Sequence, residues 1–186
     1  IIVLGEVVVG VVDGLMSSER SGAVLLTGFL ALGIGFGFWW NYFDAIGRRL
    51  PRPGRAYAAW VMLHLPLTAA IAAAGAGMVS LIEHGDEAHT PSNVAWLLAI
   101  ASASLLVWLA LIVALIDYGP VRAAIRTKIQ VAYAIGAVLS VVCGWWAPTP
   151  WLLAGALTAV HAAIWVANFS VLTWQHTSVE LAEANA

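Results

Sequence analysis

The charged residues of this chain are confined to the gaps between long apolar runs. Seven of the eight Lys and Arg residues fill two alternate gaps: Arg48, Arg49, Arg52, Arg55, Arg122, Arg126 and Lys128. The other gaps hold acids or no charge, apart from Arg20. Because cytoplasmic loops of membrane proteins carry an excess of Lys and Arg, the pattern predicts a multi-pass membrane protein whose basic loops and C-terminal tail are cytoplasmic.

The composition supports a lipid environment. Of the 186 residues, 62% are hydrophobic and only 10% are charged, whereas soluble domains carry roughly 25% charged residues. The net charge of -2 and the lack of a basic stripe outside the loops argue against a nucleic-acid partner. Cys143 is the single cysteine, so no intrachain disulfide forms.

The apolar runs predict an all-α, polytopic transmembrane bundle that forms a single domain over residues 1–186. A helix that crosses about 30 Å of hydrocarbon needs roughly 20 apolar residues, and these runs are too long and continuous for barrel strands. About six spans are predicted, near 1–16, 22–46, 57–82, 94–117, 129–147 and 151–174. Since Ile1 already lies in an apolar run, we expect the chain to be a fragment of a larger membrane protein.

Small residues at four-residue spacing predict where these helices pack. Helices in lipid associate through small side chains that permit close approach. Such spacing occurs in three of the spans: at Gly10 and Gly14, at Gly33 and Gly37, and at Gly136, Ser140 and Gly144.

Two carboxylates in the first span form the first candidate site. A charged side chain at the membrane centre costs at least about 2.5–3.5 kcal/mol on insertion scales, so it needs a physical reason. Glu6 and Asp13 are seven residues apart and share a helical face, where they can bind a cation or relay protons. The alternative is that Glu6 bonds a neighbouring helix or a segment upstream of Ile1, with Asp13 near the outer interface.

The remaining polar candidates lie in three other spans. Asn41 and Asp44 share a face of the second span, where Asp44 is also spaced to pair with Arg48. His64 precedes Pro66 in the third span, and His161 and Asn168 share a face of the sixth. Proton relay is one interpretation, because imidazole titrates near physiological pH. The others are an aromatic belt with an interfacial ion pair, and neutral histidines that donate to nearby carbonyls.

The sequence predicts no cofactor, no metal and no enzymatic activity. Lys128, the only lysine, lies in a loop and is unsuited to a retinal Schiff base. His64 and His161 differ in depth by roughly 9 Å at 1.5 Å per residue, which argues against bis-histidine haem. The loop Glu83–His89 contains His and carboxylate side chains but matches no zinc spacing, and no nucleophile elbow or phosphate-binding loop is present.

Three segments, Ile1–Glu6, Trp39–Asp44 and His64–Pro66, resemble the bacterial low temperature requirement protein A family. The resemblance covers most of the chain, in order. It implies a multi-spanning plasma-membrane protein with no established reaction, of which this chain is the C-terminal half and an N-terminal half is a partner. It also implies that Glu6, Asp44 and His64 are positions that matter.

Two functional hypotheses remain open from the sequence. In the first, the protein is a secondary transporter or ion pathway for a proton or small solute, with these polar side chains lining the helix seams. In the second, it is a non-transporting membrane protein that supports envelope function or growth in the cold. Neither hypothesis specifies an oligomeric state.

Overall fold

A computed structural model of the chain describes residues 2–19, 21–47, 49–117 and 123–184, and the side-chain surroundings of 3–19, 21–47, 49–117 and 124–170. Within these ranges the backbone forms six helices: α1 (Ile2–Ser17), α2 (Gly22–Ala45), α3 (Arg55–Glu83), α4 (Ser92–Leu115), α5 (Ala123–Trp146) and α6 (Pro150–Ala184). Each helix coincides with one predicted span, which confirms the all-α bundle. Five are long and apolar enough to cross a membrane, and α1 is shorter, so about six spans is close.

Two helices extend beyond the predicted spans, both at ends that carry polar residues. α5 begins at Ala123 rather than near residue 129, and α6 runs to Ala184 rather than ending near 174. Neither extension contains glycine or proline, so nothing in its sequence interrupts the helix. Loss of hydrophobicity marks the edge of the bilayer and does not require the helix to end there.

Short contacts between loops define the two ends of the bundle. At one end, the Arg52 amide donates to the Leu115 carbonyl at 3.0 Å, which joins the α2–α3 linker to the end of α4. At the other end, the Thr90 amide donates to the Pro148 carbonyl at 3.0 Å. We call these the basic end and the acidic end, after the Arg-rich linkers and the segment 83–89. The two Arg-rich linkers therefore share one end of the bundle, as the charge pattern predicts.

The helices pack in a closed ring in the order α1, α3, α4, α5, α6, α2. α2 also contacts α3 and α4 across the ring. α4 has fully buried side chains along its whole length, among them Leu98, Leu105 and Ile112. The exposed side chains in the middle of α4 are apolar as well: Leu97, Ile100, Val107 and Leu111. A helix whose inner face packs on other helices and whose outer face meets lipid needs no polar side, which explains why the sequence of α4 is apolar all round.

The predicted small-residue seams are confirmed as sites of close helix approach. A methyl group placed on Gly37 would lie 2.6 Å from His161 Cβ, and one on Gly144 would lie 2.4 Å from Ala99 Cβ. Contacts this short leave room only for hydrogen at these positions. The glycines therefore set how closely α2 approaches α6 and how closely α4 approaches α5.

We expect Gly144→Ala to destabilise the protein, because its new methyl group meets the rigid Cβ of Ala99 and overpacking costs about 1–3 kcal/mol. Gly155→Ala is the matched control, since its methyl group would lie 3.6 Å from Leu30 Cδ1, an ordinary contact. Alanine is also the better helix former, so the control should be neutral or slightly stabilised. Unfolding of the purified protein in mixed detergent measures both variants, and equal stability would contradict the prediction.

Candidate functional site

Asn41 joins three helices in the last part of α2. Its side chain is buried, and its Nδ2 donates to the Gly37 carbonyl at 2.8 Å within α2 and to the His161 carbonyl at 3.0 Å on α6. The Tyr133 hydroxyl of α5 donates to the Asn41 carbonyl at 2.7 Å. The Asn41 Oδ1 atom has no hydrogen-bond partner among the described residues. The Asn41 amide group thus holds α2 against α6 through its nitrogen, and its oxygen can still accept a hydrogen bond.

His161 is completely buried beside Asn41. The Phe38 ring packs edge-on against the imidazole with ring centroids 4.8 Å apart. Neither ring nitrogen has a hydrogen-bond partner in the described part of the chain. Because a buried polar atom without a partner is costly, these nitrogens mark a place where something polar is expected to bind.

Asp44 lies one turn further toward the basic end and contacts α6. Trp165 Nε1 donates to Asp44 Oδ2 at 2.5 Å, and the Trp165 ring stacks on Trp40 with centroids 5.2 Å apart. The predicted ion pair of Asp44 with Arg48 lies outside the described residues, because Arg48 is not among them. Asp44 is therefore oriented by an indole N–H from the neighbouring helix.

Asn168 completes the polar face of α6. It is buried, and its Nδ2 has no partner within the described ranges. His161, Trp165 and Asn168 are spaced at i, i+4 and i+7, which places them on one side of the helix. We call Asn41, Asp44, His161, Trp165 and Asn168 the polar seam.

His64 lies on the other side of α2 and has a partner at each nitrogen. Its Nδ1 is 2.7 Å from the Trp60 carbonyl, and its Nε2 is 3.0 Å from the Tyr42 hydroxyl. A carbonyl only accepts, so Nδ1 carries the proton and, in the neutral ring, Nε2 accepts from Tyr42. Asn41 and Tyr42 are adjacent in sequence, and because successive side chains of a helix are about 100° apart, Asn41 contacts α6 while Tyr42 contacts α3.

Glu6 and Asp13 are not part of the polar seam. Both side chains are exposed on the face of α1 that points away from α2 and α3. The acidic-end loop is also separate. There, Ser21 Oγ donates to Asp86 Oδ1 at 2.5 Å, and His84 Nε2 lies 4.0 Å from Glu87 Oε1. No group of three or more potential metal ligands occurs among the described residues.

Comparison with known protein families identifies the family of this chain. Residues 1–174 match the family described as Bacterial low temperature requirement A protein. The chain belongs to the low temperature requirement A family. Comparisons with curated proteins and with solved structures give no match.

The residues that match the family include all of the polar seam, because the match extends beyond Asn168. The seam brings together four of the seven candidate residues from the sequence: Asn41, Asp44, His161 and Asn168. His64 forms a separate contact between α2 and α3, and the two acids of α1 lie apart. In this member of the low temperature requirement A family, the candidates therefore lie in three separate places.

Sequence reasoning did not select Tyr42 and Tyr133, although both donate hydrogen bonds that position candidate residues. A signal was present, because a tyrosine inside an apolar helix needs a partner for its hydroxyl when it is buried. Tyr133 is fully buried and among the largest buried side chains. Its partner could not be found from sequence, because the acceptor is a backbone carbonyl 92 residues away.

We expect Tyr133→Phe to lower the free energy of unfolding by about 0.6 kcal/mol, and by no more than roughly 1.7, the range measured for interhelical hydrogen bonds in membranes. The variant removes the bond to the Asn41 carbonyl while keeping the buried ring. Tyr57→Phe is the control, because Tyr57 is exposed and stacks on Trp60 through its ring alone. If both variants unfold alike in mixed detergent, the Tyr133 bond contributes nothing to stability.

Proposed function

We propose that this protein is a secondary transporter or proton pathway, and that protons pass through the polar seam. The observation that carries the proposal is His161, a fully buried imidazole whose two nitrogens have no protein partner within the described residues. Ionisable side chains within membrane spans are rare and commonly mark ion paths or proton relays. Imidazole suits this role because one ring nitrogen can accept a proton while the other donates one.

The depth of His161 supports a transmembrane role. His161 is eleven residues into α6 from Pro150, or roughly 16 Å at 1.5 Å per residue. That distance is about half of the 30 Å hydrocarbon layer. Any proton held on the ring is therefore near the middle of the membrane.

From this depth, polar side chains continue toward the basic end. Asp44 and Trp165 follow one turn further on, and Asn168 follows next, so the seam extends about 10 Å from His161 along α6. Toward the acidic end, the hydroxyls of Thr158 and Thr27 bond to backbone carbonyls at 2.8 Å. The arrangement supports a half-path that opens toward the basic end, which we assign to the cytoplasm because Lys and Arg are enriched in cytoplasmic loops.

The decisive experiment is proton flux into vesicles reconstituted with the full-length protein. His161→Phe keeps a ring against Phe38 and removes both nitrogens. A proton-transferring group typically contributes roughly 10²–10⁴ in rate, so we expect flux to fall at least about tenfold. His84→Phe is the matched control, since His84 lies at the acidic end and bonds the Ser80 carbonyl; it should keep normal flux.

The thermal stability of both variants must stay close to that of the unchanged protein, so that lost flux is not lost folding. Normal flux through a folded His161→Phe protein would overturn the proposal. If His161→Phe and His84→Phe lowered proton flux equally, the effect would not depend on the polar seam, and the proposal would be overturned as well.

A second candidate function is a non-transporting protein that supports envelope function or growth in the cold. One observation favours it: the polar candidates do not form one continuous line across the bundle, because Glu6 and Asp13 are on an outer face and His64 is already bonded on both sides. Under this alternative, Glu6→Gln would abolish growth at low temperature while flux stays unchanged. The transport proposal instead expects flux to depend on His161 whatever the growth result.

A further inference from the structure

A groove lies between α3 and α4 on the outer surface of the bundle. Its volume is about 290 Å³. The Leu97 and Ile100 side chains at its edge are 42% and 53% exposed, so the groove opens toward lipid and not toward the bundle interior. Apart from Ser104, the described residues that line it are apolar, among them Pro66, Ala69, Ala73 and Trp108.

The groove is about as long as one acyl chain within a leaflet. Its lining on α4 runs from Leu97 to Trp108, eleven residues apart, or roughly 16 Å at 1.5 Å per residue. Half of the hydrocarbon layer is about 15 Å thick. Trp108 lies seven residues before the end of α4 at Leu115, or roughly 10 Å. An acyl chain that starts among the head groups at the basic end therefore reaches the groove after about 10 Å and can extend along it.

The basic end of the same two helices carries two exposed arginines. Arg55 is the first residue of α3 and precedes Ala73 by eighteen residues, or about five helical turns, so the two share one face of α3. Arg52 lies at the end of α4, where its Nη2 donates to the Ala114 carbonyl at 2.7 Å. Neither arginine forms an ion pair with a described residue. Both guanidinium groups can therefore bind an anion at the basic end of the groove.

The charge of this helix pair changes sign from one end to the other. The acidic-end loop, which joins α3 to α4, carries Asp86 and Glu87 and no Lys or Arg. At the basic end, Arg52 and Arg55 outnumber Asp117, whose amide donates to the Leu50 carbonyl at 3.3 Å. Basic side chains between membrane helices on the cytoplasmic side bind anionic lipid head groups. A negatively charged head group is therefore attracted to one end of the groove and repelled from the other.

We propose that this groove binds one anionic phospholipid, with its phosphate at Arg52 and Arg55 and one acyl chain between Ala69 and Trp108. A diacyl lipid with a net negative head group matches both the apolar groove and the positive charge at its basic end. A zwitterionic lipid would place an ammonium group near the arginines and so lose most of the attraction. This proposal does not depend on proton transport through the polar seam.

The test uses phosphatidylglycerol with a diazirine in its acyl chain, in phosphatidylcholine vesicles that contain the full-length protein. We expect irradiation to attach the probe within residues 66–73 and 97–108, as located by mass spectrometry of peptides. Unlabelled phosphatidylglycerol should displace the probe. Phosphatidylethanolamine with the same acyl chains should do so roughly 25-fold less well, because each basic residue near the surface contributes about fivefold.

Two charge variants test the head-group site. Arg55→Gln should lower the labelling of the groove about fivefold at low probe concentration, and Arg55→Lys should retain most of it. Lys128→Gln is the matched control, because it removes the same charge from an exposed position on another helix, α5, near the same end of the bundle. It should leave the labelling unchanged.

A second pair of variants tests the groove itself. Ala69→Phe places a ring in the groove at a position that is exposed in the protein, so it should remove most of the labelling without preventing folding. Ala163→Phe, at an exposed position on α6, is the control and should keep the labelling. Thermal unfolding in mixed detergent checks that each variant is folded. If Ala69→Phe is not, the comparison of Arg55→Gln with Lys128→Gln decides.

Four results would overturn the proposal. Labelling spread evenly over the exposed faces of all the helices would show that the groove is not a binding site. Equal displacement by phosphatidylethanolamine, or equal labelling of folded Arg55→Gln and Lys128→Gln proteins, would exclude recognition of an anionic head group. Unchanged labelling of a folded Ala69→Phe protein would exclude an acyl chain in the groove.

Discussion

The hydrocarbon layer supplies no hydrogen bonds, and every structural feature of this protein follows from that constraint. Backbone groups satisfy one another within helices, which is why long apolar runs form six helices and nothing else across the described spans. Polar side chains must also find partners among their neighbours. Thr27, Ser140 and Thr158 do so by donating to backbone carbonyls. Side chains that fail to find one are then conspicuous, and His161 and Glu6 are the clearest cases.

Glycine seams make the polar contacts between helices possible. α2 approaches α6 closely because Gly33 and Gly37 have no side chains, and the neighbouring Leu30 and His161 carbonyls then come within reach of Thr158 and Asn41. The hydrogen bonds at this interface therefore depend on the close packing that the glycines allow. The same closeness buries His161 fully, which removes it from water while leaving its nitrogens without a protein partner.

α2 separates two histidine environments that look similar in sequence. His64 is held by a carbonyl on one nitrogen and a hydroxyl on the other, so its tautomer is set by its surroundings. His161 has an aromatic edge against its ring and no such partner among the described residues. The adjacent residues Asn41 and Tyr42 contribute to this difference, because their side chains leave α2 about 100° apart and reach α6 and α3, respectively.

The sequence alone determined the membrane class, the number and order of the helices, the shared end of the Arg-rich linkers and the small-residue seams, because all of these depend on local hydropathy, charge and spacing. It placed Glu6, Asp13, Asn41, Asp44, His64, His161 and Asn168 in spans but could not group them. Only the tertiary structure showed that Asn41, Asp44, His161 and Asn168 share a seam while Glu6 faces outward. The physical reason is that side-chain direction relative to other helices depends on how each helix rotates about its axis, and in lipid that rotation is set by packing between segments far apart in the chain.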